Sequence, residues 1–163
     1  MFTLDECKKI ISYSETYRLK TVNGGYPGYN KIQYSGWDIK YDSETKWAFD
    51  IIYGEFTKQT GLELISKPNS FSLHKYVSGE MFEKHNDVND PKRIWNIGTN
   101  LNDDYQGGNF ILYDPEIILD KTPGKIYTFE SIRHHEVKEI TSGERWSLLM
   151  FIWHDHIKKQ KLL

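Results

Sequence analysis

Between Tyr76 and Asp90 the chain reads YVSGEMFEKHNDVND, and within it His85 and Asp87 stand two residues apart. In extended backbone, residues i and i+2 point to one side, so this imidazole and carboxylate would face the same way while Asn86 faces the other. A histidine and a carboxylate are two of the three groups of the facial arrangement that holds non-haem Fe(II) and leaves coordination positions open. An exposed turn would read the same way in isolation. A third ligand has to come from elsewhere. The stretch SIRHHEVKEITSGERWSL offers His134 and His135, which face opposite sides of a strand, and Arg145 follows ten residues after His135. A hairpin through TSGE would fold the arginine's strand back beside the histidine's. Arg145 opens the apolar run WSLLMFIW. Buried there it requires an anion, and its planar fork suits a carboxylate; exposed at the strand end it would need none.

The elements that must hold these residues can be read from periodicity. In TLDE, Thr3 caps a first helix and Glu6 completes a capping box, with Leu4, Cys7, Ile10 and Ile11 on one face. From about Thr21 to Asp42 the text turns rich in Gly, Tyr and Asn, which predicts a long loop or irregular hairpin. That segment either wraps the surface or covers a substrate; Tyr26, Tyr29, Tyr34 and Trp37 are suitable types for apolar recognition. A second helix follows a cap at Ser43, carries Trp47, Ile51, Ile52 and Phe56 at helical spacing, and stops at Gly61. Thereafter LELISKP, SFSLHKYV, RIWNIGTNLN, NFILYD, KIYTFES and RWSLLMFIW read as strands between Gly, Pro, Asn and Asp turns. The polar end HDHIKKQKLL reads as a frayed tail. Helices followed by many short strands predict N-terminal helices packed against a mainly β barrel or jelly roll.

Composition narrows the function classes. The chain has 163 residues, 38% of them hydrophobic and 15% aromatic, with a net charge of −2. That length fits one domain. Neutral charge without a basic patch disfavours nucleic acid as a partner. The single cysteine, Cys7, excludes an intramolecular disulfide and fits a reducing compartment. The N-terminus MFTLDECKKI is unlike a signal peptide, and the longest apolar run is far below the roughly 20 residues of a membrane helix. The expectation is a cytoplasmic protein with no membrane partner.

Three motifs in order resemble the Fe(II)/2-oxoglutarate-dependent oxygenases, in their prolyl 4-hydroxylase-like branch. YVSGEMFEKHND resembles the family's Tyr-x-x-Gly followed by His-x-Asp. NLNDDYQGGNFILYD resembles its Leu-Asn strand and Gly-Gly turn. PGKIYTFES with HHEVKEITSGERWSL resembles its distal His-x-Val followed by Gly-x-Arg-x-Ser. The likeness runs from Phe71 to Trp153, about half the chain. It implies a double-stranded β-helix core over about residues 63–155, behind a helical part over about 1–62, as one domain. It implies Fe(II) on His85, Asp87 and His135, the spacing to Arg145 selecting His135 over His134. It implies 2-oxoglutarate on Arg145 and Tyr76, with Ser147 assisting. Dioxygen would be the oxidant and ascorbate supportive.

The implied activity is hydroxylation of an unactivated C–H bond with release of succinate and CO2, plausibly on a prolyl or other residue of a peptide or protein. Asp87 favours hydroxylation over halogenation, because halogenating relatives lack this carboxylate. The alternatives are a free amino acid or small metabolite as substrate, and, in another class, a non-catalytic jelly-roll metal-binding module. Of the remaining polar residues, His134 reads as surface or a neighbour of the ligands, His74 as a pocket-lining residue or, in preference, a hydrogen-bonded structural histidine, and His154 to His156 as tail. Asn100 and Asn102 read as cavity or turn residues, and Trp95, Trp146 and Trp153 as core.

Overall fold

The computed structural model describes residues 1–23 and 33–158. Helix α1 spans Leu4–Ser12. The Thr3 hydroxyl accepts the Glu6 N–H at 3.2 Å and the Glu6 carboxylate accepts the Thr3 N–H at 2.7 Å, so the capping box forms as predicted. Cys7 and Ile10 are buried, but Leu4 is 62% exposed; Phe2, ahead of the helix, enters the core instead. Helix α2 spans Lys46–Thr60 rather than starting after Ser43. The Asp42 carboxylate captures the N–H groups of Glu44 and Thr45 at 2.8 and 3.0 Å, and that turn delays the start. It ends as expected at Gly61, whose φ of 71° suits a residue without Cβ.

Twelve strands follow in chain order. They are β1 (Leu19–Asn23), β2 (Gln33–Lys40), β3 (Ser70–Tyr76), β4 (Phe82–His85), β5 (Arg93–Asn100) and β6 (Gln106–Gly107). Then come β7 (Phe110–Leu112), β8 (Ile117–Ile118), β9 (Tyr127–Glu130), β10 (His135–Val137), β11 (Ile140–Ser142) and β12 (Arg145–Trp153). A major sheet runs β1-β2-β3-β12-β5-β9 and a minor one β4-β10-β7-β8, while β11 pairs with β6. This is the jelly roll the sequence predicts, with both helices on one face of the major sheet.

Two cores divide the molecule. Phe49, Ile52 and Phe56 of α2 pack with Ile97, Met150 and Ile152 of the major sheet. Tyr76, Phe110, Phe129 and Val137 fill the space between the sheets. Strand β12 serves both by alternation: Leu148, Met150 and Ile152 turn to the helices, and Arg145, Ser147, Leu149 and Phe151 line the inter-sheet side.

Four expectations require correction. The TSGE turn makes no hairpin between the strands of His135 and Arg145. The chain leaves the minor sheet after β10, forms β11, turns at Gly143 and enters β12 in the major sheet. LELISKP contributes only a bridge from Leu64 to Ile157. Trp37 is no recognition residue but lies 8% exposed, stacked on Trp146 at 5.4 Å. His154–His156 is a 3-10 turn rather than a frayed tail, the His156 Nδ1 accepting the Trp153 N–H at 3.3 Å. The Gly/Tyr-rich segment is an antiparallel pair, β1 with β2, while Tyr26 and Tyr29 fall outside the described residues. Among the described residues no helix is long and apolar enough to cross a membrane.

Phe49 is fully buried, with its ring 5.1 Å from Phe71. Phe49→Ala is expected to lower unfolding stability by about 3–5 kcal/mol, read from the chemical denaturation midpoint.

Candidate active site

His85 ends β4, His135 opens β10, and the two are direct cross-strand partners. The His85 Nδ1 lies 2.7 Å from the Glu83 carbonyl and the His135 Nδ1 lies 3.0 Å from that of Arg133. A carbonyl only accepts, so each Nδ1 carries the hydrogen and each Nε2 is left with its lone pair. Both Nε2 atoms face Asp87, at 3.8 Å from Oδ1 for His85 and 3.3 Å from Oδ2 for His135. The three ligating atoms lie within 4.8 Å of one another, the one such group of His, Cys, Asp or Glu among the described residues.

Burial pushes the His85 imidazole down to about 4, with neighbouring His135 acting in the same direction against the pull of Asp87. Burial alone would raise the Asp87 carboxyl, but His135 beside it, then His85 and Arg93, hold it below its ordinary value. A neutral His85 beside an ionised carboxylate is the protonation state that binds a divalent cation. Rings fix the imidazoles: Phe82 stacks on His85 at 3.8 Å, while Phe129 and Phe110 flank His135 at 4.9 and 5.5 Å.

A cavity of about 440 Å³ opens between the sheets from this triad. Arg145 also lines it, 1% exposed, and its Nη1 donates to the Ser147 hydroxyl at 2.8 Å. Tyr76, its cross-strand partner, places its ring centre 5.4 Å from the guanidinium carbon. Neither the Tyr76 hydroxyl nor the His74 ring has a hydrogen-bond partner among the described residues. His74 therefore lines the cavity, against Tyr34 at 4.5 Å, rather than being tied into the framework. Arg145 Nε, the Tyr105 hydroxyl and Asn100 Oδ1 are buried polar atoms that lack a well-formed hydrogen bond among the described residues. A Cβ added at Gly108 would come within 3.1 Å of Tyr105 and 3.2 Å of Arg145, and Asn100 pairs with Ser147 across the sheet. The free donors among these, Arg145 Nε and the Tyr105 hydroxyl, fit a carboxylate ligand, and the triad fits a divalent metal. Asn102 satisfies its turn instead, accepting the Trp146 N–H at 2.7 Å. His134 is exposed, 3.5 Å from the Asn86 amide.

Sequence reasoning missed four residues. Arg93 lays its guanidinium carbon 3.6 Å over the Phe151 ring, with a buried Nε lacking a partner among the described residues and Nη1 3.7 Å from Asp87. Asn96 and Ser131, both buried, hydrogen-bond with each other, and Asn96 also bonds Asp87. Asn96 left a legible signal, a polar residue between Trp95 and Ile97 in a strand otherwise fit for burial. Tyr127 projects its ring over Gly98, where an added Cβ would come within 2.6 Å of it. Burial raises its hydroxyl to about 12, against the nearby Arg145 charge.

The profile of the 2OG-Fe(II) oxygenase superfamily matches residues 71–153. No curated protein matches the chain. Among solved structures, a 2OG-Fe(II) oxygenase family protein from Burkholderia pseudomallei is similar with TM-score 0.74 at 15% identity, covering 96% of this chain and 82% of that one. A prolyl hydroxylase from Trichoplax adhaerens, in complex with a hypoxia inducible factor peptide fragment, gives 0.66 at 13%, covering 93% and 90%. A non-heme alpha ketoglutarate dependent carbocyclase from nogalamycin biosynthesis gives 0.69 at 10%, covering 99% and 82%. At these identities the structures speak for the fold.

His74 carries a linkage prediction. Burial, then the Arg145 charge, lowers its folded value to about 4, whereas the unfolded chain takes the proton near pH ~6.5. The unfolded state therefore binds more protons between those limits, and stability erodes as pH falls from about 6.5 towards 4. Between about pH 7.5 and about pH 5, the metal-free protein is expected to lose about 1–2 kcal/mol more than His74→Phe does, measured by denaturant titration.

Proposed function

The chain belongs to the 2OG-Fe(II) oxygenase superfamily, and from that premise we propose that it hydroxylates a C–H bond of a prolyl or other residue in a peptide or protein. In this reading His85, Asp87 and His135 hold Fe(II), Arg145 binds the distal carboxylate of 2-oxoglutarate, and Tyr76 and Ser147 assist it. The helices and both sheets act as one domain. Bound Fe(II), with 2-oxoglutarate and dioxygen, supplies an oxidation that yields succinate, CO2 and a hydroxylated product. The observation that carries the reading is a buried His-Asp-His cluster and a buried guanidinium, its Nε without a partner among the described residues, lining one cavity.

The chain's own residues divide the remaining work. The backbone carbonyls of Glu83 and Arg133 hold both imidazoles with Nε2 inward. Phe82, Phe110 and Phe129 keep the imidazoles dry, which strengthens every charge interaction inside. Ser147 fixes one arm of Arg145 so that its other donors stay available.

Peptide substrates are supported by the Trichoplax adhaerens likeness, whose structure contains a peptide fragment. A second reading, a free amino acid or other small acid, is favoured by Arg93: its Nε lacks a partner at the cavity and would suit a substrate carboxylate as well as a peptide carbonyl. The test is succinate formation from 2-oxoglutarate with Fe(II), ascorbate and oxygen, screened against proline-containing peptides with blocked termini and against free amino acids. Asp87→Ala is expected to lose more than the roughly 100-fold that outer partners of a metal cost. Arg145→Ala is expected to raise the KM for 2-oxoglutarate on the order of 100-fold. Acceleration by blocked peptides alone selects the first reading, and acceleration by free acids alone the second. No turnover and no metal-dependent 2-oxoglutarate binding would return the chain to a metal-binding module.

A further inference from the structure

The Asp87 carboxylate is held by a closed ring of hydrogen bonds supplied by the protein. The Asn96 side-chain amide donates to Asp87 Oδ2. The Ser131 hydroxyl donates to the Asn96 side-chain oxygen at 2.9 Å, and the Asp87 N–H donates back to the Ser131 carbonyl at 2.9 Å. The Ser131 N–H in turn reaches the Ile94 carbonyl at 3.0 Å, tying the ring to β5. Asn96 and Ser131 are 0% and 1% exposed.

Every polarity in this ring follows from the next. An ionised carboxylate only accepts, so Asn96 must turn its NH2 towards Asp87. Its oxygen then needs a donor, and the Ser131 hydroxyl is placed to give one. The other carboxylate oxygen, Oδ1, carries no hydrogen bond among the described residues; Arg93 Nη1 stands 3.7 Å away. Packing alone does not account for an amide here. Asn96 pairs with Phe151 on one side and Phe129 on the other, and an apolar residue would be cheaper at so buried a position.

We propose that Asn96 is a positioning residue for metal binding: it occupies one oxygen of Asp87 and fixes the carboxylate plane, and Ser131 locks Asn96 in that orientation. The inference rests on reading His85, Asp87 and His135 as the metal ligands.

The test uses Mn(II) affinity of the full chain by titration calorimetry, without 2-oxoglutarate, together with the visible spectrum of the Co(II) form. Asn96→Leu keeps the branching at Cγ and removes the donor; it is expected to weaken Mn(II) about 10–100-fold and to change the Co(II) bands. Ser131→Ala is expected to weaken binding by a smaller factor. The double variant should bind no more weakly than Asn96→Leu alone, because Ser131 acts through Asn96. Thermal denaturation of each metal-free variant checks folding, and if Asn96→Leu does not fold, Asn96→Ala takes its place in the same cycle. Mn(II) affinity in the Asn96 variant equal to wild type overturns the inference, and so do additive losses in the double variant. Undiminished Mn(II) binding by Asp87→Ala would instead remove the ligand assignment beneath it.

Discussion

A guanidinium enclosed in protein, with no carboxylate partner among the described residues, is the constraint from which the rest of this molecule can be understood. Arg145 is 1% exposed, and its hydrogen bond goes to a neutral hydroxyl, that of Ser147. Lys121 stands nearby over the Tyr105 ring, its own affinity for a proton lowered by burial and then by Arg145. Such an arrangement is costly unless an anion completes it. On the same cavity, neutral imidazole and one carboxylate surround a space that suits a cation. The two sites carry complementary deficits of charge, which a divalent cation and a carboxylate ligand bound together would satisfy.

Holding that cation inside requires a strand that is polar on one side and apolar on the other, and β12 meets the requirement from the centre of the major sheet. Its even-numbered residues from Leu148 to Ile152 hold the helices, and its odd-numbered ones line the cavity. The helices need no chemical group of their own. Their contribution is to bury the back of the sheet, so that its front can carry buried polar residues without losing cooperativity.

Much of this was legible because it depends on local rules. Alternation gave most strands of the major sheet, the Thr3 capping box gave α1, and the i, i+2 spacing put His85 and Asp87 on one side. What escaped notice depends on tertiary contact. Strands of two to four residues, such as β4 and β10, have too few positions to show a period. The path from His135 to Arg145 looked like a hairpin because a Gly-containing turn is the same text whether the chain returns to its own sheet or crosses to the opposite one. Ser43 looked like a cap because its neighbour Asp42, which organises the turn, is equally able. The support given by Asn96 and Ser131 joins residues 35 positions apart, and periodicity carries no information about such a pair.

Gly98 and Tyr127 sit opposite one another on β5 and β9, and the ring of one occupies the place where a side chain of the other would be. Volume at these two positions is therefore a shared quantity rather than two independent choices. A relative with a bulky residue at the first would be obliged to carry a small one at the second, and the hydroxyl facing Arg145 would disappear with it. The width of the cavity floor and the number of its hydrogen-bond donors thus change together, as a single inherited trait written across two strands.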